Sequence, residues 1–215
     1  MPTPVLRDKI PARRSKPTKN PKKNWSAHKP DLREDFHRYC AYCFSNDAFR
    51  DTYFEVDHFV PRFIIQKSKK ISLTEYSNLV YSCRFCNNNK RAQWPSKSIT
   101  VYNNGKEGFV DPCTKEIDKH LYRTKDGGIM WRTKLGKWMF STAFKFDERQ
   151  EEIKLLWKLN HLKKTMEKLI LIKGKTPKNS RTYKGIEGRL GKYAIKYVLF
   201  EKELKNFYDD LHYKN

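Results

Sequence analysis

The sequence predicts an α+β fold in which a small cysteine-rich core is followed by a β-hairpin and a helical extension. Two Cys-x-x-Cys pairs enclose short runs of strand-forming residues over 52–58 and 78–81. An Asp-Gly-Gly turn at 126–128 predicts the hairpin, and apolar residues at helical spacing follow it. The chain of 215 residues is long enough to bury a core of this kind.

The first 30 residues are predicted to form a flexible basic arm. They contain nine Lys or Arg residues, one acid (Asp8) and six prolines. This composition offers too little apolar surface to offset the entropy that ordering would cost. We expect the arm to contact phosphates along a duplex, with a solubilising tail as the alternative. Ordered structure is expected to begin near Asp31.

Four of the five cysteines are paired at a spacing typical of zinc knuckles. Cys40 and Cys43 form the first pair, and Cys83 and Cys86 form the second. Two such pairs complete a closed shell of four thiolates, which is typical of structural rather than catalytic zinc. Disulfides and a redox pair are the rival interpretations, and the odd number of cysteines disfavours disulfides. Cys113 is expected to be a small buried residue outside this site.

Periodicity and turn signals predict the other elements and the domain boundaries. We expect, in chain order, short helices over 32–39 and 87–93, a strand at 109–110, a loop over 174–180 and a last helix over 184–212. An apolar stripe with the spacing 4, 3, 4, 3 consists of Leu155, Leu159, Leu162, Met166 and Leu169. The predicted domains are the core over 31–97 and the extension over 98–215, which would bind nucleic acid or a partner.

The charge of the chain indicates a polyanionic partner. Its 46 basic and 24 acidic residues give a formal net charge of +22. Nucleic acid is the first candidate and an anionic membrane surface is the second. The sequence contains no run that approaches the roughly 18 apolar residues of a membrane span. Its N-terminus has no apolar region of the secretory kind, so we expect a cytoplasmic protein that does not enter the membrane.

The segment between the cysteine pairs contains residues suited to phosphodiester hydrolysis. They are, in chain order, Asp57, His58, Asn78 and Asn87. A histidine can take a proton from water near neutral pH, while carboxylate and amide oxygens suit a hard divalent cation. With the flanking cysteine pairs, the order of these residues over 38–95 resembles the HNH nuclease superfamily, whose core is the ββα-metal fold.

The resemblance implies a Mg²⁺- or Mn²⁺-dependent endonuclease that hydrolyses DNA. It makes His58 the general base and Asn78 the residue that fixes the loop orienting the imidazole. It makes Asp57 and Asn87 the ligands of the catalytic metal, although the family usually has histidine at the position of Asn87. An amide oxygen is a harder ligand than imidazole, so this departure favours Mg²⁺ over Zn²⁺ or Ni²⁺. The neighbouring Asn88 and Asn89 leave the choice of amide open.

The strand that carries Asp57 and His58 raises a geometric question. Neighbours on a regular strand direct their side chains to opposite faces. If both approach one phosphate, the backbone has to leave the pleat at His58, and Pro61 favours such a bend. Glu55 shares a face with Asp57 and is expected to be a surface charge.

Basic residues outside the motif are candidate contacts to nucleic acid. Residues 163–184 contain eight Lys or Arg residues and one acid, and a solvated helix end is an equal alternative for this stretch. The candidates are Lys90, Arg91, Lys173, Lys175, Lys178, Arg181 and Lys184.

A looser resemblance over about 109–170 is to the extension of prokaryotic HNH proteins encoded near defence or retroelement systems. It implies a prokaryotic protein with a role in antiviral defence. The amphipathic helices could dock a protein partner such as an ATPase. A homodimer would place two sites on a duplex, because one site cuts one strand.

Two other functions stay open at this point. A non-catalytic zinc ribbon that binds DNA or RNA explains the charge and the cysteines, but it leaves the order of the four polar residues as coincidence. An RNA-cleaving effector of the same fold is the other, because nothing in the sequence distinguishes a 2′-hydroxyl.

Overall fold

The computed structural model describes residues 5–49 and 53–212, without the side chains of 210–212. It divides into two units, Met1–Gln150 and Glu151–Asn215. The boundary predicted after residue 97 therefore differs from the structure, in which residues 98–150 belong to the first unit. The predicted start of the first strand, Thr52, lies outside the described residues.

The first unit combines two short antiparallel strand pairs with short helices, as an α+β fold requires. The strands are β1 (Phe54–His58), β2 (Leu79–Cys83), β3 (Leu121–Arg123) and β4 (Ile129–Trp131). The helices of this unit are α1 (Lys29–Asp35), α2 (Arg62–Ser68), α3 (Arg84–Lys90), α4 (Ile117–His120) and α5 (Lys134–Lys137), the last followed by a π-helical turn, Trp138–Ala143.

The antiparallel pair of β1 and β2, together with the helix α3 after it, forms a ββα unit. Strand β1 pairs with β2 from Phe54↔Cys83 to His58↔Leu79, and α3 begins directly after β2 and packs against both strands. Every residue of β2 is buried, which accounts for its nearly continuous apolar sequence. The helix predicted over 87–93 therefore begins earlier and ends at Lys90, where Arg91 adopts a φ of 44°.

Aromatic rings join residues 98–150 to the ββα unit. Trp94 stacks on Phe109 with ring centroids 5.5 Å apart, and Phe109 contacts Phe144 at 5.6 Å. Phe144 in turn stacks on Tyr42, between the first two cysteines, at 4.6 Å. These rings bury apolar area across the predicted boundary, so the second hairpin belongs to the same core.

The second hairpin is where the sequence predicted it, but the strand at 109–110 is not formed. Strands β3 and β4 flank the Asp-Gly-Gly turn, in which Gly127 has a φ of 93°. Such a positive φ favours glycine. Phe109 is 1% exposed and serves as a core residue, while the only nearby pairing among the described residues is a single bridge between Asn103 and Gly108.

The segment before α1 differs from the predicted flexible arm, because its arginines find specific partners. Leu6 is 2% exposed. Arg13 forms an ion pair with Asp111 at 3.1 Å and donates to the carbonyl of Leu79 at 2.7 Å. Arg14 pairs with three carboxylates, those of Asp31, Glu34 and Asp35. The lysines of the segment before α1 are exposed, and their contact with phosphates stays a prediction.

The second unit consists of two long helices, α6 (Gln150–Gly174) and α7 (Arg181–His212). The first residue of α6, Gln150, is still counted in the first unit. Lys158 lies over the ring of Phe200 at 5.2 Å, and Lys173 pairs with Glu187 at 2.9 Å. These contacts make the helices antiparallel. No helix in the described part of the chain has the length and apolar character needed to cross a bilayer.

Candidate functional site

The four paired cysteines meet in one buried cluster. Their Sγ atoms all lie within 4.8 Å of one another, and each of the four residues is 0% exposed. The Sγ atoms of Cys43 and Cys83 are 3.8 Å apart. A tetrahedron of sulfur atoms with metal bonds of about 2.3 Å has edges of about 3.8 Å, so this spacing fits a zinc ion.

The surroundings of the cluster supply hydrogen-bond donors to one sulfur and bury all four. The backbone N–H groups of Tyr42 and Cys83 donate to the Sγ of Cys40 at 3.5 and 3.4 Å. Burial raises the pKa of Cys40 and of Cys86 well above the ordinary thiol value, so a cation is required to keep these sulfurs ionised near neutral pH. Cys113 lies outside the cluster, as predicted, but it is partly exposed rather than buried.

A second, open site lies at the end of β1. Asp57, His58 and Asn87 line one cavity of about 520 Å³. Strand β1 stays paired with β2 through His58, so the predicted departure from the pleat at His58 is wrong. The chain turns one residue later, over Phe59–Pro61, and the last two side chains of the strand both border the cavity at its end.

The imidazole of His58 is held by a backbone carbonyl. Its Nε2 lies 2.8 Å from the oxygen of Leu73. A carbonyl only accepts, so Nε2 carries the hydrogen and Nδ1 is the basic nitrogen of the neutral ring. His58 is 5% exposed, and this burial lowers the pKa of its ring below the usual 6.5. The ring is therefore neutral at pH 7.

Asn78 ties the loop after β1 to the start of β2. Its Nδ2 donates to the carbonyl of Val60 at 3.0 Å, and its Oδ1 accepts from the N–H of Val60 at 2.9 Å. The backbone oxygen of Asn78 also accepts from the N–H of Phe59. These three bonds hold the turn that follows His58.

Two buried side chains hold the carboxylate of Asp57. The Tyr42 hydroxyl donates to its Oδ2 at 2.6 Å, and Lys90 Nζ lies 3.1 Å from the same oxygen. Lys90 also donates to the carbonyl of His58 at 2.7 Å and is 1% exposed. The predicted contact between Lys90 and nucleic acid is therefore corrected, because the ammonium group is inside the protein and pairs with Asp57.

Asn87 is oriented by a residue that the sequence interpretation assigned to the surface. The Nδ2 of Asn87 donates to Glu55 Oε2 at 2.7 Å. A carboxylate only accepts hydrogen bonds, so the amide nitrogen of Asn87 faces Glu55. The amide oxygen, Oδ1, is therefore the atom that could coordinate a cation. The position of Glu55, two residues before Asp57 on one strand, was the signal for this role.

The residues that carry this geometry match a known family. Residues 40–93 match the family model of the HNH endonucleases. The resemblance seen in the sequence is thereby confirmed for this HNH domain, whose match contains both cysteine pairs and all four polar residues of the cavity motif. No curated protein and no solved structure matches the chain. The link to defence systems stays a prediction.

The rim of the HNH cavity carries cations and rings that the sequence interpretation partly missed. Arg62 and Arg91 both line the cavity. Trp25, from the segment before α1, contacts the His58 ring edge to face at 5.0 Å, and the guanidinium of Arg62 lies 5.4 Å from the centre of the Trp25 ring. Arg91 was predicted here, whereas Arg62 has no motif that would have selected it.

The predicted basic residues of the second unit lie around the turn between α6 and α7. Lys173 is engaged with Glu187 and with the ring of Tyr183. The other four are exposed, namely Lys175, Lys178, Arg181 and Lys184. Their contact with nucleic acid stays a prediction.

Proposed function

We propose that the chain is a metal-dependent endonuclease that hydrolyses phosphodiester bonds of DNA at the cavity of its HNH domain. The observation that carries the proposal is the hydrogen bond from His58 Nε2 to the Leu73 carbonyl. This bond leaves Nδ1 as the basic nitrogen of His58, which lines a cavity together with Asp57 and Asn87.

His58 is proposed to act as the general base. Its buried ring is neutral at pH 7, because burial lowers its pKa, and Nδ1 can accept a proton from the attacking water. Asn78 supports this role by holding the backbone of Val60. The Leu73 carbonyl restrains rotation of the ring, so the base keeps one orientation while the proton moves.

Asp57 and Asn87 are proposed to hold the catalytic Mg²⁺ or Mn²⁺ through a carboxylate oxygen and an amide oxygen. Both donors are hard oxygen ligands, which fits these cations. When bound, the ion stabilises negative charge on the scissile phosphate and on the departing 3′ oxygen. Lys90 already offsets the charge of Asp57, so we expect tight ion binding to need the phosphate of the substrate as well.

A nucleic acid is the proposed substrate because the cavity is flanked by cations on a strongly basic chain, and DNA is proposed on the resemblance to HNH nucleases. Arg62 and Arg91 line the cavity and can contact the phosphates on either side of the scissile bond. The chain as a whole carries a formal charge of +22. A single proposed active site per chain predicts nicking of one strand, and the four-thiolate zinc is proposed to be structural only.

The test is nicking of supercoiled plasmid with Mg²⁺ or Mn²⁺. Wild-type protein is expected to nick, and His58→Ala should lower the rate by about 10²- to 10⁴-fold, as loss of a general base does. Asp57→Ala and Asn87→Ala should also lose activity. Asn88→Ala is the matched control, since this neighbouring amide lines the same cavity, and it should keep activity.

Equal nicking by wild type and His58→Ala would overturn the assignment. Binding of DNA without cleavage under any divalent metal would support the non-catalytic zinc ribbon instead. Cleavage of structured RNA with DNA left intact would correct the substrate.

A further inference from the structure

Two arginines from outside the matched HNH residues approach the cysteine cluster. The first is Arg149, which is 8% exposed. Its Nη2 donates to the Sγ of Cys86 at 3.5 Å. Its guanidinium lies 5.2 Å from the centre of the Phe85 ring and 5.8 Å from that of Phe146. Two rings therefore hold the cation against one sulfur of the cluster.

The second is Arg123, on β3. Its Nη2 donates to the carbonyl of Cys43 at 3.1 Å, and its Nη1 donates to the carbonyl of Gly127 at 2.9 Å. Its Nε is buried and has no hydrogen-bond partner among the described residues. Arg123 is thus a partly buried cation whose guanidinium contacts the backbone of a cysteine of the cluster.

The charge of the loaded cluster accounts for two such cations. Four thiolates contribute −4 and Zn²⁺ contributes +2, so the site carries −2. A buried charge of this size is costly unless it is paired. An arginine keeps its charge even when buried, and two arginines contribute +2.

We propose that Arg123 and Arg149 are the counter-charges of the four-thiolate zinc site, so that zinc binding and docking of residues 109–149 on the HNH domain stabilise each other. The site then extends beyond the four cysteines. Zinc would join β3 and the end of the first unit to the two knuckles, in addition to joining the knuckles to each other. The inference does not depend on nuclease activity.

Zinc retention is the first test. Purified full-length protein is mixed with a chromogenic chelator, and the rate and midpoint of zinc release are measured for wild type and single variants. Arg149→Met and Arg123→Met should each bind zinc about 10- to 100-fold more weakly, as loss of an outer partner of a metal ligand does. Methionine retains an apolar stem, so packing is kept. Arg149→Lys should lose less than Arg149→Met.

The matched control is Arg84→Met. Arg84 lies in the second knuckle, between Cys83 and Cys86, but is exposed, and water screens its charge. It should release zinc like wild type. Folded Arg149→Met protein with wild-type zinc affinity would overturn the proposal, and so would an equal loss for Arg84→Met.

A charge-specific test separates pairing from packing. Cys40→His replaces one thiolate by a neutral imidazole and reduces the negative charge of the loaded site from −2 to −1. One cation then suffices to balance it. The cost of Arg149→Met in zinc affinity should then be smaller in the Cys40→His background than in wild type. An equal cost in both backgrounds would show that Arg149 acts by packing alone, against the proposal.

Wild-type protein provides a measurement that needs no variant to fold. Amide hydrogen exchange is compared with zinc bound and after chelation. The proposal expects faster exchange over residues 109–149 as well as around the knuckles when zinc is removed. A change confined to residues 40–46 and 80–90 would contradict the proposed linkage.

Discussion

The two candidate metal centres of the first unit differ in how the protein encloses them. At the cluster, all four cysteines are 0% exposed and every ligand position is taken by sulfur. At the end of β1, Asp57 and Asn87 border an open cavity of about 520 Å³. A closed shell suits a structural ion, and an open one leaves room for water and substrate. This contrast supports the proposal that the cluster contributes stability and that the cavity performs the chemistry.

One side chain connects the two centres. Tyr42 lies between Cys40 and Cys43 in the first knuckle, and its hydroxyl donates to Asp57 at 2.6 Å. We therefore expect disturbance of the cysteine cluster to reach Asp57, the proposed ligand of the catalytic metal, whereas disturbance of the cavity need not reach the cluster. The following predictions test this asymmetry, from the largest effect to the smallest.

Cys83→Ser should have the largest effect. It removes one thiolate from the closed shell, and apparent binding energies of structural zinc are about 10–16 kcal/mol. We expect loss of zinc and loss of cooperative unfolding of the first unit. Metal analysis and thermal denaturation followed by circular dichroism measure both. A zinc-free Cys83→Ser protein that melts like wild type would show that the cluster does not stabilise the first unit.

Lys90→Met should destabilise the protein by about 3–5 kcal/mol, because it leaves the buried carboxylate of Asp57 without its cation. Denaturant unfolding measures the change. Lys67→Met is the matched control, because Lys67 is exposed on α2, and it should unfold like wild type. If both variants unfold at the same denaturant concentration, the burial of Lys90 has no energetic role.

Tyr42→Phe tests the connection between the centres. It removes one hydrogen bond to a charged group, which costs about 1.5–3 kcal/mol, and it retains the ring that stacks on Phe144. We expect wild-type zinc content together with slower nicking. Retention of both zinc and full nicking would show that the two centres are independent.

Arg62→Ala and Arg91→Ala should have the smallest effect on the fold and act on binding. Each removes one proposed phosphate contact, so the slope of log affinity against log salt should decrease by about 1. Fluorescence anisotropy with a labelled duplex over a range of salt concentrations measures the slope. An unchanged slope in both variants would remove these arginines from the interface.

The sequence predicted the parts of the site that follow from local spacing. Cys40, Cys43, Cys83 and Cys86 stand in two short repeats, and the order of Asp57, His58, Asn78 and Asn87 is a family pattern. Partners contributed by other elements could not be predicted in the same way. The sequence suggested that Lys90 and Glu55 lie on the surface. In the structure Lys90 pairs with Asp57, and Glu55 accepts a hydrogen bond from Asn87.

The sequence also did not predict which residues belong to the first unit. Composition suggested a mobile N-terminal arm, but Arg13 and Arg14 find carboxylates that lie far along the chain or on α1. The boundary predicted after residue 97 does not coincide with the limit of the first unit, because Phe109 and Phe144 pack against Trp94 and Tyr42, and no sequence pattern indicates which rings pack together. Pairing across long separations depends on the packed structure rather than on residue type.

The most direct test of the central claim is to count both metals on the same preparations. Zinc is measured by elemental analysis, and Mn²⁺ is measured by electron paramagnetic resonance in the presence of a DNA duplex. We predict one zinc per chain that resists mild chelation, and one exchangeable Mn²⁺ that is lost in Asp57→Ala while zinc remains. Absence of bound Mn²⁺ in wild type, or a Mn²⁺ signal unchanged by Asp57→Ala, would contradict the account.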